Sequence, residues 1–212
     1  MFSNKEFWEK RFREEGKVWG EDPSKSVYQA SEFFRKHDVK SILVPGSGYG
    51  RNTRLFSSSG FDVTGIEISA TACKLAQQFD PASKVYEGSV LDMSFVPGTF
   101  DAIYSYNLLH LFSENDRNLF IQECIDKLGE PGFAFFTVFS EDEPTFGQGR
   151  WVESNTYESR PDRPTHYFTE DDLREHFQDF EIIETGIVQE PEDHGGQPHT
   201  HILRYVFVKK AA

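Results

Sequence analysis

Apolar positions along the chain change their spacing near residue 41. Before it, Phe7, Trp8, Arg11, Phe12 and Glu15 recur at spacings of three and four, which predicts an amphipathic helix over 4–15 that Gly16 ends. Val27, Ala30, Phe33 and Phe34 share one face of a second helix over 26–36. From residue 41 onward, short apolar runs alternate with helical patterns. Strands are predicted over 41–44, 61–66, 84–87, 101–106 and 133–138, and helices over 51–58, 70–79 and 115–128. Such alternation argues for parallel strands joined by crossovers. The segment 140–165, rich in Pro, Gly, Ser and charge, reads as a long lid or binding loop. Thr169 then caps a helix ending near Phe177, and strands over 181–187 and 202–209 follow as antiparallel neighbours.

Composition narrows what such a sheet does. A length of 212 residues suits one domain, divided as a helical cap (1–38), a core (39–139), a lid or substrate loop (140–168) and a closing helix and hairpin (169–212). No apolar run is long enough to cross a bilayer, and the first residues have no secretion-signal pattern. Cys73 and Cys124 read as small core residues, which fits a reducing cytoplasm. A net charge of −13 disfavours nucleic acid and membrane as partners and favours a small-molecule substrate.

The sharpest local signal is Gly46-Ser47-Gly48-Tyr49-Gly50, directly after the apolar Ile42-Leu43-Val44 and before a helix. Glycines between a buried strand and a helix permit a tight turn and close approach of a ligand to the backbone. Glu67 stands seventeen positions beyond Gly50 at the next strand end, where a carboxylate accepts hydrogen bonds from both ribose hydroxyls of an adenosine. This much also fits a nicotinamide dinucleotide fold.

The following motifs separate the two. Tyr86-Glu87-Gly88-Ser89-Val90-Leu91-Asp92 is followed by Phe95, Phe100-Asp101 opens the fourth strand, and Leu128-Gly129-Glu130-Pro131-Gly132 precedes the fifth. In these motifs the chain resembles the class I S-adenosylmethionine-dependent methyltransferases over about residues 41–139. Phe7-Trp8-Glu9-Lys10-Arg11-Phe12, Gly16-Lys17-Val18-Trp19-Gly20 and Gly50-Arg51-Asn52 are more loosely similar to the thiopurine and tellurite-resistance methyltransferases. The resemblance implies an α/β, doubly wound, Rossmann-like sheet of seven mainly parallel strands, with an antiparallel C-terminal hairpin strand and an N-terminal helical cap. It implies S-adenosylmethionine as cofactor and S-adenosylhomocysteine as product, with Ile68, Ser89 and Val90 joining Glu67 around the adenosine. Two positions depart from the pattern: Pro45 stands where most members carry an acid, and Ser89 where many carry Asp, leaving Asp92 as an alternative acceptor.

Further candidates lie around these motifs. Trp8 and Trp19 offer aromatic faces to a sulfonium, although aromatics at helical spacing also serve as core. Tyr106 and Asn107 sit just past the fourth strand, outside the strand ends where ligands lie. His110 and His166 are candidate bases for deprotonating the acceptor. His199 and His201 point to one side of a strand, and with His194 and Asp193 suggest a metal or a soft substrate, or else a polar hairpin; no residue is assigned to a metal. Arg150, Arg160 and Arg163 read as balancing nearby acids rather than as an anion clamp. The expected reaction is methyl transfer to a small nucleophile of thiol, selenium or tellurium type. Its rivals are a nicotinamide-dependent oxidoreductase and a non-catalytic cofactor- or metal-binding module.

Overall fold

The computed structural model describes residues 4–161, 163–193 and 197–211. Two helices, α1 (Asn4–Glu15) and α2 (Lys25–Lys36), precede the sheet. The units β1 (Ser41–Pro45), α3 (Thr53–Ser58), β2 (Asp62–Glu67), α4 (Ala70–Phe79), β3 (Lys84–Glu87), β4 (Phe100–Tyr106), α5 (Glu114–Lys127) and β5 (Leu128–Phe139) follow. A short 3₁₀ turn at Leu109–Leu111 separates β4 from α5. Beyond β5 come β6 (Arg150–Glu153), β7 (Thr156–Arg160), β8 (Arg163–His166), α6 (Glu170–His176), β9 (Phe180–Asp193) and β10 (Pro198–Lys210). The main sheet has seven strands in the order β3-β2-β1-β4-β5-β10-β9. Pairing is parallel from β3 to β5, and β10 inserts antiparallel between β5 and β9.

Successive strand residues face opposite sides, so each central strand feeds two apolar layers. Ile42, Tyr104, Phe135 and Phe207 pack with Val27, Ala30 and Phe34 of α2 and Phe56 of α3. Their neighbours Leu43, Ile103, Phe136 and Val206 pack with Phe120 and Cys124 of α5, with Leu173 of α6 and with Phe177 just after it. That two-sided burial is what makes the strands read as continuous apolar runs. Asp101 ties the bases of two strands together, accepting the Lys40 and Ser41 N–H groups at 2.9 Å each. Both cysteines are buried free thiols, and among the described residues no helix is long and apolar enough to cross a membrane.

Two expectations from the pattern need correction. The segment 140–165 is not a structureless loop: β6, β7 and β8 form an antiparallel three-stranded sheet. These strands are short and charged, and Trp151 is 63% exposed, so no buried face imprints an alternation on them. The closing strands also run beyond the predicted 181–187 and 202–209, because the inward-facing residues of the extended arm are Glu190 and Glu192 rather than apolar side chains. Glu190 accepts the Lys25 and Ser26 N–H groups at the start of α2, at 2.5 and 3.1 Å. Glu192 takes the Arg51 guanidinium at 2.8 Å and the Tyr106 hydroxyl at 2.7 Å. The hairpin arm is thereby fastened to the end of the sheet where β1 and β4 finish.

Candidate functional site

The turn after β1 has left-handed backbone at Gly46, Gly48 and Gly50, with φ of +67°, +58° and +94°. A side chain at Gly46 would meet Leu108, whose Cδ2 lies 3.0 Å from the Cβ position. The turn is stitched to β2 by Ser47 N–H donating to the Ile66 carbonyl at 3.0 Å and Gly48 N–H donating to Glu67 Oε2 at 2.9 Å. Glu67 Oε1 accepts the Ser69 N–H at 2.9 Å. The carboxylate is 5% exposed, and burial raises its pKa above the ordinary value, against the lowering effect of the Ser69 and Gly48 N–H groups. Each oxygen retains acceptor capacity for one further donor, which is what a ribose diol presents.

Gly65 on β2 makes room for this arrangement. A methyl group there would sit 2.5 Å from Ser47 Oγ and 2.8 Å from Ser47 Cβ. Gly65→Ala is therefore expected to displace the turn and to destabilise the chain by about 1–3 kcal/mol. Thermal unfolding measures the loss, and a variant as stable as the parent would show the turn to be compliant.

The remaining cofactor candidates fall into two groups. Trp8 and Trp19 lie 6.2 Å apart in an aromatic cluster with Phe12 and Tyr49; Trp19 stacks on Tyr49, and Phe12 Cζ comes within 3.7 Å of the Gly48 Cβ position. This cluster clamps α1 over the glycine turn. Glu9 adds to the clamp by accepting the Ser69 and Thr71 hydroxyls and the Thr71 N–H, bonds that bring its pKa down to about 2. On the adenosine side, Ile68 is half-buried behind Glu67, Val90 is buried, and Ser89 Oγ accepts the Leu91 N–H at 3.2 Å. Asp92 is exposed and accepts the Ser94 N–H, so it does not replace Ser89 as an inward acceptor.

At the end of β4, Asn107 adopts a φ of +50° and is locked to Thr137, whose hydroxyl donates to Asn107 Oδ1 at 3.0 Å. Its neighbour Leu108 meets Gly46, so the β4 turn and the glycine turn face each other. Tyr106 is engaged through its hydroxyl by Glu192, as described above. The cavity beside it, of about 540 Å³, is lined by Trp19, Pro23, Arg51, Glu192 and His199, and touches the glycine turn only at its Arg51 edge.

The two candidate bases do not share one environment. His110 is 3% exposed, stacks on Phe139 at 4.1 Å, and leaves Nδ1 buried without a hydrogen-bond partner. Burial holds its pKa well below the ordinary histidine value, so it is neutral. His166 as a base is corrected by its contacts. Its Nδ1 lies 2.8 Å from Thr156 Oγ1 and its Nε2 2.6 Å from Asp172 Oδ2, so both ring nitrogens are committed to joining β8, β7 and α6. His201 is held instead by the buried Glu143, Nδ1 to Oε1 at 2.6 Å, with Nε2 3.1 Å from His199 Nε2 and its ring against Phe139 at 4.8 Å. Among the described residues no group of three His, Cys, Asp or Glu side chains is arranged to hold a metal, and His194 lies outside the described residues.

A parallel sheet with a glycine turn after its first strand, an acid at the end of its second and a helical cap above is a Rossmann-like arrangement, the kind that binds nucleotides at its strand ends. Residues 43–136 match the family model described as a methyltransferase domain. A structure concerned with conversion of a disulfide bond into a thioacetal group during echinomycin biosynthesis superposes with a TM-score of 0.78 at 16% identity, over 98% of this chain and 92% of that one. The 1,6-didemethyltoxoflavin-N1-methyltransferase of Burkholderia thailandensis, with bound 1,6-didemethyltoxoflavin and S-adenosylhomocysteine, gives 0.72 at 20% identity over 98% and 87%. TehB from Haemophilus influenzae gives 0.66 at 15% over 96% and 67%. The matched segment runs from β1 into β5, and the solved structures share the fold over nearly the whole chain.

Proposed function

We propose that this enzyme methylates a small-molecule nucleophile of thiol, selenium or tellurium type in a reducing cytoplasm. The observation that carries the reading is the Gly48–Glu67 pairing at 2.9 Å, which sets a ribose-binding carboxylate against the glycine turn. When bound, S-adenosylmethionine supplies a methyl carbon on a cationic sulfur; the acceptor's lone pair forms the new bond as the carbon–sulfur bond breaks, leaving S-adenosylhomocysteine. The chain's own part is alignment, worth about 7–11 kcal/mol in well-oriented reactions. Glu67, Ser89 and Val90 fix the adenosine end, while Asn107 and Leu108 face the glycine turn from β4. Trp8 and Trp19, packed with Phe12 and Tyr49, hold α1 over the glycine turn.

A soft acceptor suits the histidines that are present. His110 is buried and neutral, and His166 has no free nitrogen, so neither is a strong base. An acidic thiol or selenol reaches the site as its anion and needs no strong base from the chain. The test is thermal unfolding with S-adenosylhomocysteine or NAD, followed by methyl release across small thiols and oxyanions. S-adenosylhomocysteine at 100 times its Kd should add about 2.7 kcal/mol of stability, and NAD nothing. Stabilisation by NAD alone would overturn the methyl-donor reading in favour of a dinucleotide enzyme.

A further inference from the structure

His199 and His201 alternate along β10 and so present their rings on one face of the hairpin arm. Their Nε2 atoms are 3.1 Å apart, and the rings stand at 88° with centres 4.7 Å apart. Each outer nitrogen is oriented by an oxygen. His199 Nδ1–H donates to the Gln197 carbonyl at 3.0 Å, and His201 Nδ1–H donates to Glu143 Oε1 at 2.6 Å. A carbonyl only accepts, and so does an ionised carboxylate, so each neutral ring carries its proton on Nδ1 and its lone pair on Nε2. Two lone pairs then meet across 3.1 Å, a contact that is repulsive unless a positive charge lies between them.

That charge is a proton shared by the two rings or a metal ion, and the ring geometry favours the ion. A head-on N–H···N bond between imidazoles at this separation would put their ring centres about 5.4 Å apart. Two imidazole nitrogens bound to one ion at about 2.0–2.1 Å, with about 90–110° between the bonds, lie about 2.9–3.4 Å apart, and their ring centres about 4.5–5.2 Å. The observed 3.1 and 4.7 Å both fall within the ranges for a shared ion. The two nitrogens thus point toward one place off the line that joins them.

The surroundings agree. A metal-bound histidine usually donates its other N–H to a carboxylate or a backbone carbonyl, which fixes the tautomer and raises the basicity of the ligating nitrogen. The buried Glu143 does this for His201, and the Gln197 carbonyl does it for His199. The cavity that His199 lines carries Glu21, Asp22, Glu190, Glu192 and Asp193 against Arg51, an excess of acids that favours a cation. The His201 ring packs on Phe139, the same ring on which His110 stacks, so the pair lies close to the turn after β4.

We propose that His199 and His201 form a two-histidine site for a borderline transition-metal ion, Zn²⁺ or Cu²⁺, at the rim of this cavity. Imidazole nitrogen suits both ions, and Cu²⁺ binds the more tightly. Two protein nitrogens leave the ion's other positions to water or to an anionic ligand entering the cavity. Glu143 is a positioning residue that acts through His201. The site does not depend on the methyl-donor reading.

The test is calorimetric titration of the full chain, metal-free and without an affinity tag, with ZnCl₂ and with CuSO₄. Electron paramagnetic resonance of the Cu²⁺-loaded protein counts the coordinated imidazole nitrogens. The proteins are wild type, His199→Ala, His201→Ala, Glu143→Gln and, as control, His37→Ala at the C-terminal end of α2. Wild type is expected to bind one ion per chain through two imidazole nitrogens. Glu143→Gln should weaken binding about tenfold and keep both nitrogens. His199→Ala and His201→Ala should each lose more than that and show one nitrogen fewer, while His37→Ala matches wild type. His199 is exposed, so His199→Ala keeps the fold and decides the matter by itself. A wild-type chain that binds neither ion, or a His199→Ala chain that binds both as tightly as wild type, overturns the site and leaves the two rings sharing a proton. Titrating S-adenosylhomocysteine into the same proteins tests the methyl-donor reading separately.

Discussion

Glu67→Ala is expected to weaken S-adenosylhomocysteine binding at least tenfold and also to destabilise the ligand-free chain by about 2–4 kcal/mol. The second effect follows because the carboxylate already holds the Gly48 and Ser69 N–H groups. Removing it leaves two backbone donors unpaired in a buried place, each costing about 1–3 kcal/mol. The first follows because two charge-assisted bonds to a ribose diol are lost, and every 1.4 kcal/mol is about tenfold in affinity. Glu67→Gln should lose part of both, since the amide keeps one of the two acceptors that the turn uses and cannot serve both hydroxyls. pH provides a further check. Burial raises this carboxyl's pKa in the folded chain, so its contribution to stability declines as pH rises from the ordinary carboxylate value through the raised one. Over that window the ionised form becomes available to the diol, so affinity should rise with pH in the wild type and stay flat in Glu67→Gln. Calorimetry at several pH values measures both; a flat wild-type profile would remove Glu67 from the ribose site.

Glu67 was legible because its position is encoded locally: an apolar strand, a glycine turn, then an acid at the next strand end. The same holds for the order β1 to β5, whose strands are buried on both faces and therefore read as apolar runs. Gly88 belongs here too, since Phe95 packs where its side chain would be. Legibility failed where burial is achieved by polar pairing. Glu190 and Glu192 point inward from the long arm of β9, satisfied by the N-terminus of α2 and by Arg51, partners more than 130 residues away in the chain. No local pattern announces such pairs.

The candidate site shows the same division. The glycine turn, Ser89 and Asn107 are placed by strand ends, which the pattern locates. The histidines are placed by tertiary partners, which it does not. His166, flanked by Thr165 and Tyr167, looks free along the sequence; Thr156 and Asp172 occupy its two nitrogens. His201 reads as part of a metal or soft-substrate site or of a polar hairpin, and its decisive neighbour is Glu143, 58 residues earlier.

Asp172→Asn is expected to lower stability by about 3 kcal/mol at neutral pH, or about 6–12 °C in Tm. Burial by itself would raise the Asp172 pKa, yet hydrogen bonds from His166 at 2.6 Å and His176 at 3.0 Å outweigh it and hold the carboxyl well below the usual range. A group depressed in this way contributes stability above its unfolded pKa of about 3.9, and that contribution is lost as pH falls through the folded value. His166 acts in the same direction. Burial keeps its pKa below normal, so the unfolded chain takes up a proton first as pH falls below about 6.5. The wild type should therefore lose stability in two stages on acidification. Asp172→Asn should start lower and lack the second stage, which thermal unfolding by circular dichroism between pH 8 and pH 3 resolves. Equal acid limbs in the two proteins would mean that Asp172 is not the charge that secures the three-stranded sheet.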